Sequence, residues 1–272
     1  MKMMSRQRGV SLVELMVALL LGLFLIGGAI QVFLSGKQTY QSVSAKSEVS
    51  GNLRAAEYLL ASHLHQAGYW DSVDAMRRFR AHGGFAEEAV LAGKNNVTAT
   101  GIEPGTDELW VRFTGSADGS VQTCAGSTPA DNQLVVEHFY VRPPDTSAGS
   151  TETEPVLMCE ATVYALNLNT GVIGAQVSQV TVPLISGIEG FQVLYATGGA
   201  SAQYVEAGSG LDWANVAGAR FALLAVSQNR AGAMSRSTGF DLLGSTVTDP
   251  GDGHVRHVLQ QVVSLRNRNP GV

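Results

Sequence analysis

Glu14 is an acid set in an otherwise uncharged apolar run, four residues after Val10 and five after Gly9. The chemistry these residues could carry is proteolytic processing followed by charge pairing. Residues 1–9, MKMMSRQRG, form a short basic leader holding Lys2, Arg6 and Arg8, and the apolar run extends from Val10 to Leu34. An ordinary secretory signal places its small-residue cleavage site after the apolar run, whereas Gly9 stands before it. A cut after Gly9 discards the leader, keeps the helix and creates a new amine at Val10. On a helix, Glu14 stands about 6 Å along the axis from Val10 and on nearly the same face. In an array of such helices the acid could instead pair with a neighbour's amine, neutralising both charges and setting the axial register. A carboxylate near the centre of a spanning helix costs roughly 2.5 to 3.5 kcal/mol, and less near an end. The competing reading is an ordinary signal anchor whose Glu14 snorkels to water from the membrane edge.

Cys124 and Cys159 belong to no CxxC pair and stand at no recognisable zinc spacing with histidine. In an exported domain a disulfide is the simplest reading; it would close a loop of about 35 residues and add roughly 3 to 4 kcal/mol. Two independent buried thiols are the alternative. His63 and His65 point about 200° apart on a helix, which prevents shared ligation of one metal. Alternation in a strand sends His254 and His257 to opposite faces. The run Asp249–His254 (DPGDGH) lacks the spacing of a calcium loop and reads as a solvated turn. There is no nucleophile elbow, P-loop or GxGxxG after a strand, so no catalytic residue, metal or cofactor is expected. Trp70, Trp110 and Trp213 could anchor an interface, although core packing is the expectation for Trp110. Arg266 and Arg268 are expected to pair with the domain's own carboxylates.

The apolar run of 25 residues would reach about 37 Å as a helix, enough to cross a hydrocarbon core of about 30 Å. The positive-inside rule places residues 1–9 in the cytoplasm and the remainder outside. Beyond Leu34 the pattern turns amphipathic, with Leu53, Ala56, Leu60, Leu64 and Ala67 at helical spacing, so the helix is expected over residues 10–67 with Gly68 as its stop. Residues 68–272 are expected to form one β-rich globular domain. Candidate strands are Glu108–Thr114, Leu134–Arg142, Thr162–Leu168, Gln176–Leu184, Gly190–Ala196, Arg220–Ser227 and His254–Arg266, forming an antiparallel sheet over the helix. Residues 71–100 and 197–218 read as long loops with short helical pieces, and 143–155 as an exposed loop. The fold class is α+β. Apolar residues make up 45% and charged residues 15%, which excludes a disordered chain or coiled coil. Setting the leader's three basic residues aside leaves 15 bases against 23 acids, and an acidic domain without a basic run argues against nucleic acid as a partner.

The leader, Gly9, Val10, the apolar helix and Glu14 together resemble the type IV prepilins, whose motif has Gly at the cut and Glu at the fifth mature position. The resemblance implies cleavage after Gly9 and N-methylation of Val10 by prepilin peptidase, and a type IV pilin-like fold. Val10 stands where Phe is commonest, and Gln31 where major pilins often carry a kinking Pro, which points away from a major pilin. Pro104–Ser116, Ile185–Thr197, Ala219–Ser227 and Arg256–Arg268 are similar to PilW-type minor pilins, relatives of the J-type pseudopilins of type II secretion. That likeness implies a low-copy fibre or tip subunit that helps initiate pilus assembly. Its implied partners are other minor pilins, major pilin, prepilin peptidase, the inner-membrane assembly platform and, before assembly, the lipid bilayer. Its implied location is the inner membrane with the C-terminal domain periplasmic, then the pilus. The alternatives are a type II pseudopilin, and a signal-anchored periplasmic binding protein or hydrolase.

Overall fold

The computed structural model describes Gly9 and residues 11–71, 79–145, 147, 150, 153–198, 203–208, 210–231 and 239–267. The leader's first eight residues, Val10 and Arg268 lie outside the described residues.

A single helix, α1 (Leu12–Gln66), runs 55 residues, about 82 Å at 1.5 Å per residue. Its two halves differ because their sequences do. Up to Ser44 no residue of the helix is buried, while Ala45, Val49, Leu53, Ala56, Leu60, His63 and Leu64 are buried further on. The six apolar ones recur three or four residues apart, with His63 beside Leu64, and form one stripe, the pattern of a helix covered on one side. The helix ends next to Gly68, which has φ 76° and donates its N–H to the Arg112 carbonyl at 2.9 Å.

Two antiparallel sheets receive that stripe. The first contains β1 (Leu91–Val97), β2 (Thr106–Thr114), β3 (Gln133–Arg142), β4 (Val156–Asn167) and β5 (Val172–Ser186) in the order β1-β2-β3-β4-β5. The second is built from β6 (Ile188–Thr197), β7 (Tyr204–Glu206), β8 (Val216–Arg230) and β11 (His254–Ser264) in the order β11-β8-β6-β7. A hairpin of β9 (Phe240–Leu242) and β10 (Ser245–Val247) lies beside the second sheet, and Leu242 packs on Ala222 and Leu224. One buried cluster joins the helix stripe to Leu109, Val111, Phe139 and Leu157 of the first sheet and Phe191, Phe221 and Leu223 of the second.

The strands therefore divide between two sheets rather than forming the single sheet expected. The division falls at Gly187, which joins β5 to β6 with φ 74° and donates to the Pro155 carbonyl at 2.8 Å. A Cβ there would sit 2.7 Å from the Val226 carbonyl oxygen, so both backbone conformation and space demand glycine. Two expected loops also contain ordered elements. The first holds β1, whose sequence LAGKNNV is poor in β-formers; its Gly93 leaves room for the Tyr195 hydroxyl, which a Cβ would overlap. The second holds β7 and a 3-10 turn at Trp213–Asn215.

Asp107 fastens the sheets together. It is almost fully buried, and its carboxylate accepts from the Asn96 N–H at 2.9 Å and, across the seam, from the Val193 N–H at 2.7 Å. Burial raises its pKa to about 6 despite those two hydrogen bonds. A raised carboxyl pKa means that the folded protein holds a proton the unfolded chain releases. The group's contribution is therefore fully present below its unfolded value near 3.8 and is lost as pH rises through about 6. In Asp107→Asn one backbone N–H would face an amide NH2, at a cost of about 1 to 3 kcal/mol. Urea titrations between pH 4 and 7 are expected to show that cost and, in the variant, a flatter pH dependence.

Candidate assembly site at the helix N-terminus

Ser11 is the N-cap of α1, with extended backbone and a side-chain oxygen that accepts from the Glu14 N–H at 3.4 Å. Glu14 is at the third helical position, so Ser11-x-x-Glu14 has capping-box spacing. Ser11 is a residue of this site that the prepilin-like motif does not single out, and the capping-box spacing is the sequence signal that marks it. An acid in the first turn gains about 0.3 to 1 kcal/mol from the helix dipole. That is smaller than the 2.5 to 3.5 kcal/mol an unpaired carboxylate costs deep in a bilayer, so a dipole alone does not offset burial of Glu14 there. Its carboxylate has no hydrogen bond or ion pair among the described residues.

Around Glu14 the helix is bare. Leu12 is 79% exposed, Phe24 84% and Phe33 71%, so the protein's own domain covers none of this surface. From Leu12 to Gly36 Glu14 is the one charged residue, and the helix is long and apolar enough to cross a membrane. At Gly9 a Cβ would meet nothing within 4 Å, and its φ is not in the left-handed region. Neither packing among the described residues nor backbone geometry demands glycine at that position.

At the opposite end of α1 a second group of chemically capable residues has a structural role. Cys124 and Cys159 are joined by a disulfide with their Cα atoms 6.4 Å apart. They adjoin Glu137, but with both sulfurs bonded to each other this trio offers no thiolate to a metal. Fully buried Glu137 accepts from the Cys124 N–H at 2.6 Å and meets His63 Nδ1 at 2.8 Å. The His63 ring packs at a tilt on Phe139, with centroids 5.7 Å apart, so helix, sheet and disulfide meet at one carboxylate. His65 is half-buried on another face, and the two histidines do not converge. Replacing both cysteines by alanine is expected to cost about 3 to 4 kcal/mol in chemical denaturation, as loop closure in the unfolded chain predicts.

Trp110 is not in the main core. Strand alternation turns Leu109 and Val111 inward and Trp110 outward, where it lies half-buried and stacked on His138 at 4.1 Å. Lys94 Nζ sits 4.9 Å from the Trp110 ring and 3.1 Å from Glu108, which also meets His138 Nε2 at 2.9 Å. Burial, aided by the Lys94 charge, holds His138 down to about 3, so its ring is neutral at ordinary pH. Trp70 and Trp213 pack edge-on against Phe79 and Tyr195.

The Asp249–His254 segment is more than a solvated turn, because it helps hold a buried guanidinium. Arg256 donates to both oxygens of Asp252 and both of Glu189, with Asp249 at 3.7 Å. Those bonds hold the Asp252 carboxyl well below its usual range. His254 Nδ1 contacts the Ser227 carbonyl at 2.7 Å, while His257 is exposed. Arg266 is exposed and forms no ion pair among the described residues, contrary to expectation.

Comparison with known proteins bears on both ends of the chain. The Prokaryotic N-terminal methylation motif matches residues 4–30, and the family Type IV Pilus-assembly protein W matches residues 138–267, from within β3 to just past β11. Among solved structures the chain is similar to the Type IV-like pilin TTHA1219 from Thermus thermophilus, at 18% identity and a TM-score of 0.46, covering 82% of this chain and 99% of that one. No curated protein matches the chain. The methylation motif spans Gly9 and Glu14, and the second match spans both sheets from β3 onward, so over these two stretches the chain is similar to type IV prepilin-like proteins of the PilW type.

Proposed function

We propose that this protein is a minor pilin: it is cut after Gly9 by prepilin peptidase, N-methylated at Val10, and built by its helix into a type IV pilus as a low-copy subunit that helps initiate assembly. The observation carrying the reading is the bare stretch of α1 from Leu12 to Gly36, apolar on all sides and charged at Glu14 alone. Such a surface is stable in lipid or among other helices and nowhere in water. Before assembly the helix lies in the inner membrane with the domain in the periplasm, as the leader's positive charge directs. Afterwards the same surface packs among the helices of other minor pilins and of major pilin. The protein acts through contacts rather than catalysis.

Mass spectrometry of the N-terminal peptide from native cells tests the processing. A peptide beginning at methylated Val10 is expected; one retaining Met1 would overturn the reading. Deletion of the gene is expected to abolish surface pili while exoprotein secretion continues. The reverse phenotype would assign the protein to a type II secretion pseudopilus.

A further inference from the structure

Among the described residues the five-stranded sheet ends on β5, which has β4 on one side and no strand on the other. Residues 174–181 of β5 are exposed on both faces, among them Val177 at 55% and Val180 at 46%. Val180 pairs with Ala161 and Val182 with Cys159, both buried on the helix-bearing side, so the open valine faces inward rather than to the back of the sheet. The helix reaches β5 near its far end, where the Asn52 side chain donates to the Ser186 carbonyl at 3.1 Å. From Ala161 to Ile188 there is no charged residue, in a chain that is 15% charged overall.

Soluble proteins protect long edges with charge, shortness or cover. The other described edges follow that rule. β1 carries Lys94 and lies beneath Tyr195, β7 is three residues long and carries Glu206, and β11 carries Arg256 and packs against α1. β5 alone among them is long, neutral and open.

We propose that the outer edge of β5 accepts an extended, uncharged β-strand from a neighbouring, different subunit, which becomes the sixth strand of the sheet. Eight exposed residues present about 27 Å of unpaired main-chain donors and acceptors, which only an extended chain satisfies in full. The neutral edge offers nothing to a charged segment and does not repel an uncharged one. A bilayer does not fit, since Asn52 lies 18 residues beyond Leu34, about 27 Å further along the helix. The inference rests on the fibre reading: subunits in a helical array meet through unlike surfaces, so β5 does not face a second β5, and a low-copy subunit has other pilins, not copies of itself, as its neighbours.

The test places a photo-cross-linking p-benzoylphenylalanine at Gln179 or Thr181 of the full-length chain in its native cells. Both probes are expected to label one other envelope protein, and moving the probe by two residues is expected to move the labelled site by two, the signature of a paired strand. Val177→Lys combined with Val180→Lys is expected to reduce the adduct at least tenfold while leaving the melting temperature within about 2 °C. Adducts with a second copy of this chain, with lipid only, at scattered sites, or none at all overturn the proposal. The N-terminal peptide measured in the same sample reports separately on processing, so the two readings fail independently.

Discussion

Gly9→Val is expected to leave the full leader on the protein in native cells, with processed chain reduced about a hundredfold or more. A loss of that size corresponds to roughly 2.7 kcal/mol at the transition state of cleavage. The glycine has no role in the described part of the chain: added atoms at Gly9 meet nothing, and the backbone there is not left-handed. On the proposed processing, the demand for the smallest residue comes from outside, from an enzyme that closes on the chain where leader meets helix. A β-branched side chain fills the space that such an enzyme needs and restricts the backbone it must grip. The folded domain begins its packing at Ala45, 36 residues further on, so its melting temperature should not change. Immunoblotting for the size difference, with mass spectrometry of the N-terminal peptide, makes the measurement. Normal cleavage of Gly9→Val would show that the glycine is incidental and would favour the signal-anchor alternative.

How legible the molecule was in its sequence depended on whether each feature is local. The helix end beside Gly68 and the stripe from Leu53 to Leu64 repeat at intervals of three and four, and periodicity of that kind survives folding unchanged. β3 alternates strictly enough to be read as a strand, and the same alternation puts Glu137 on the face of Val135, Phe139 and Val141. An acid on an apolar face signals a buried partner, and His63 is that partner, a contact 74 positions away in the chain that no spacing rule reaches. β1 was hidden because its strand character comes from pairing with β2 and from Tyr195 lying over Gly93, not from its own residues. Arg112 was hidden for a similar reason. A strand arginine reads as exposed, yet it is fully buried, donates to the carbonyls of Phe79, Arg80, Ala86 and Ala89, and lies between the Phe79 and Phe85 rings. It fastens the segment before β1 to the back of β2. At the N-terminus the signals are local: the leader, Gly9 and Glu14 form a short linear pattern, and Ser11 caps α1 at the spacing of a capping box three residues before Glu14.

Glu14→Val is expected to separate processing from assembly. The variant should be cut after Gly9 as usual, because the change lies beyond the cleavage site, and it should sit in the membrane at least as stably, since an intramembrane carboxylate costs energy there. Its helix loses only the small contribution of an acid near the N-terminal dipole. If the carboxylate served nothing but that first turn, or snorkelled to water, removing it would be neutral or favourable for a bilayer-spanning helix. If it pairs with the amine of a neighbouring Val10, two unit charges 4 Å apart at an effective dielectric of about 20 attract by about 4 kcal/mol, and Val leaves that amine buried alone. Even a third of that energy lowers incorporation about tenfold. The ratio of fibre-associated to membrane-retained protein should therefore fall by at least that factor, with the N-terminal peptide still beginning at Val10. Glu14→Gln distinguishes charge from shape: it keeps the length and hydrogen-bonding capacity of the side chain but cannot neutralise an ammonium, and should fail almost as badly as Val. Wild-type incorporation of Glu14→Gln would mean that shape, and not charge, sets the axial register of this helix.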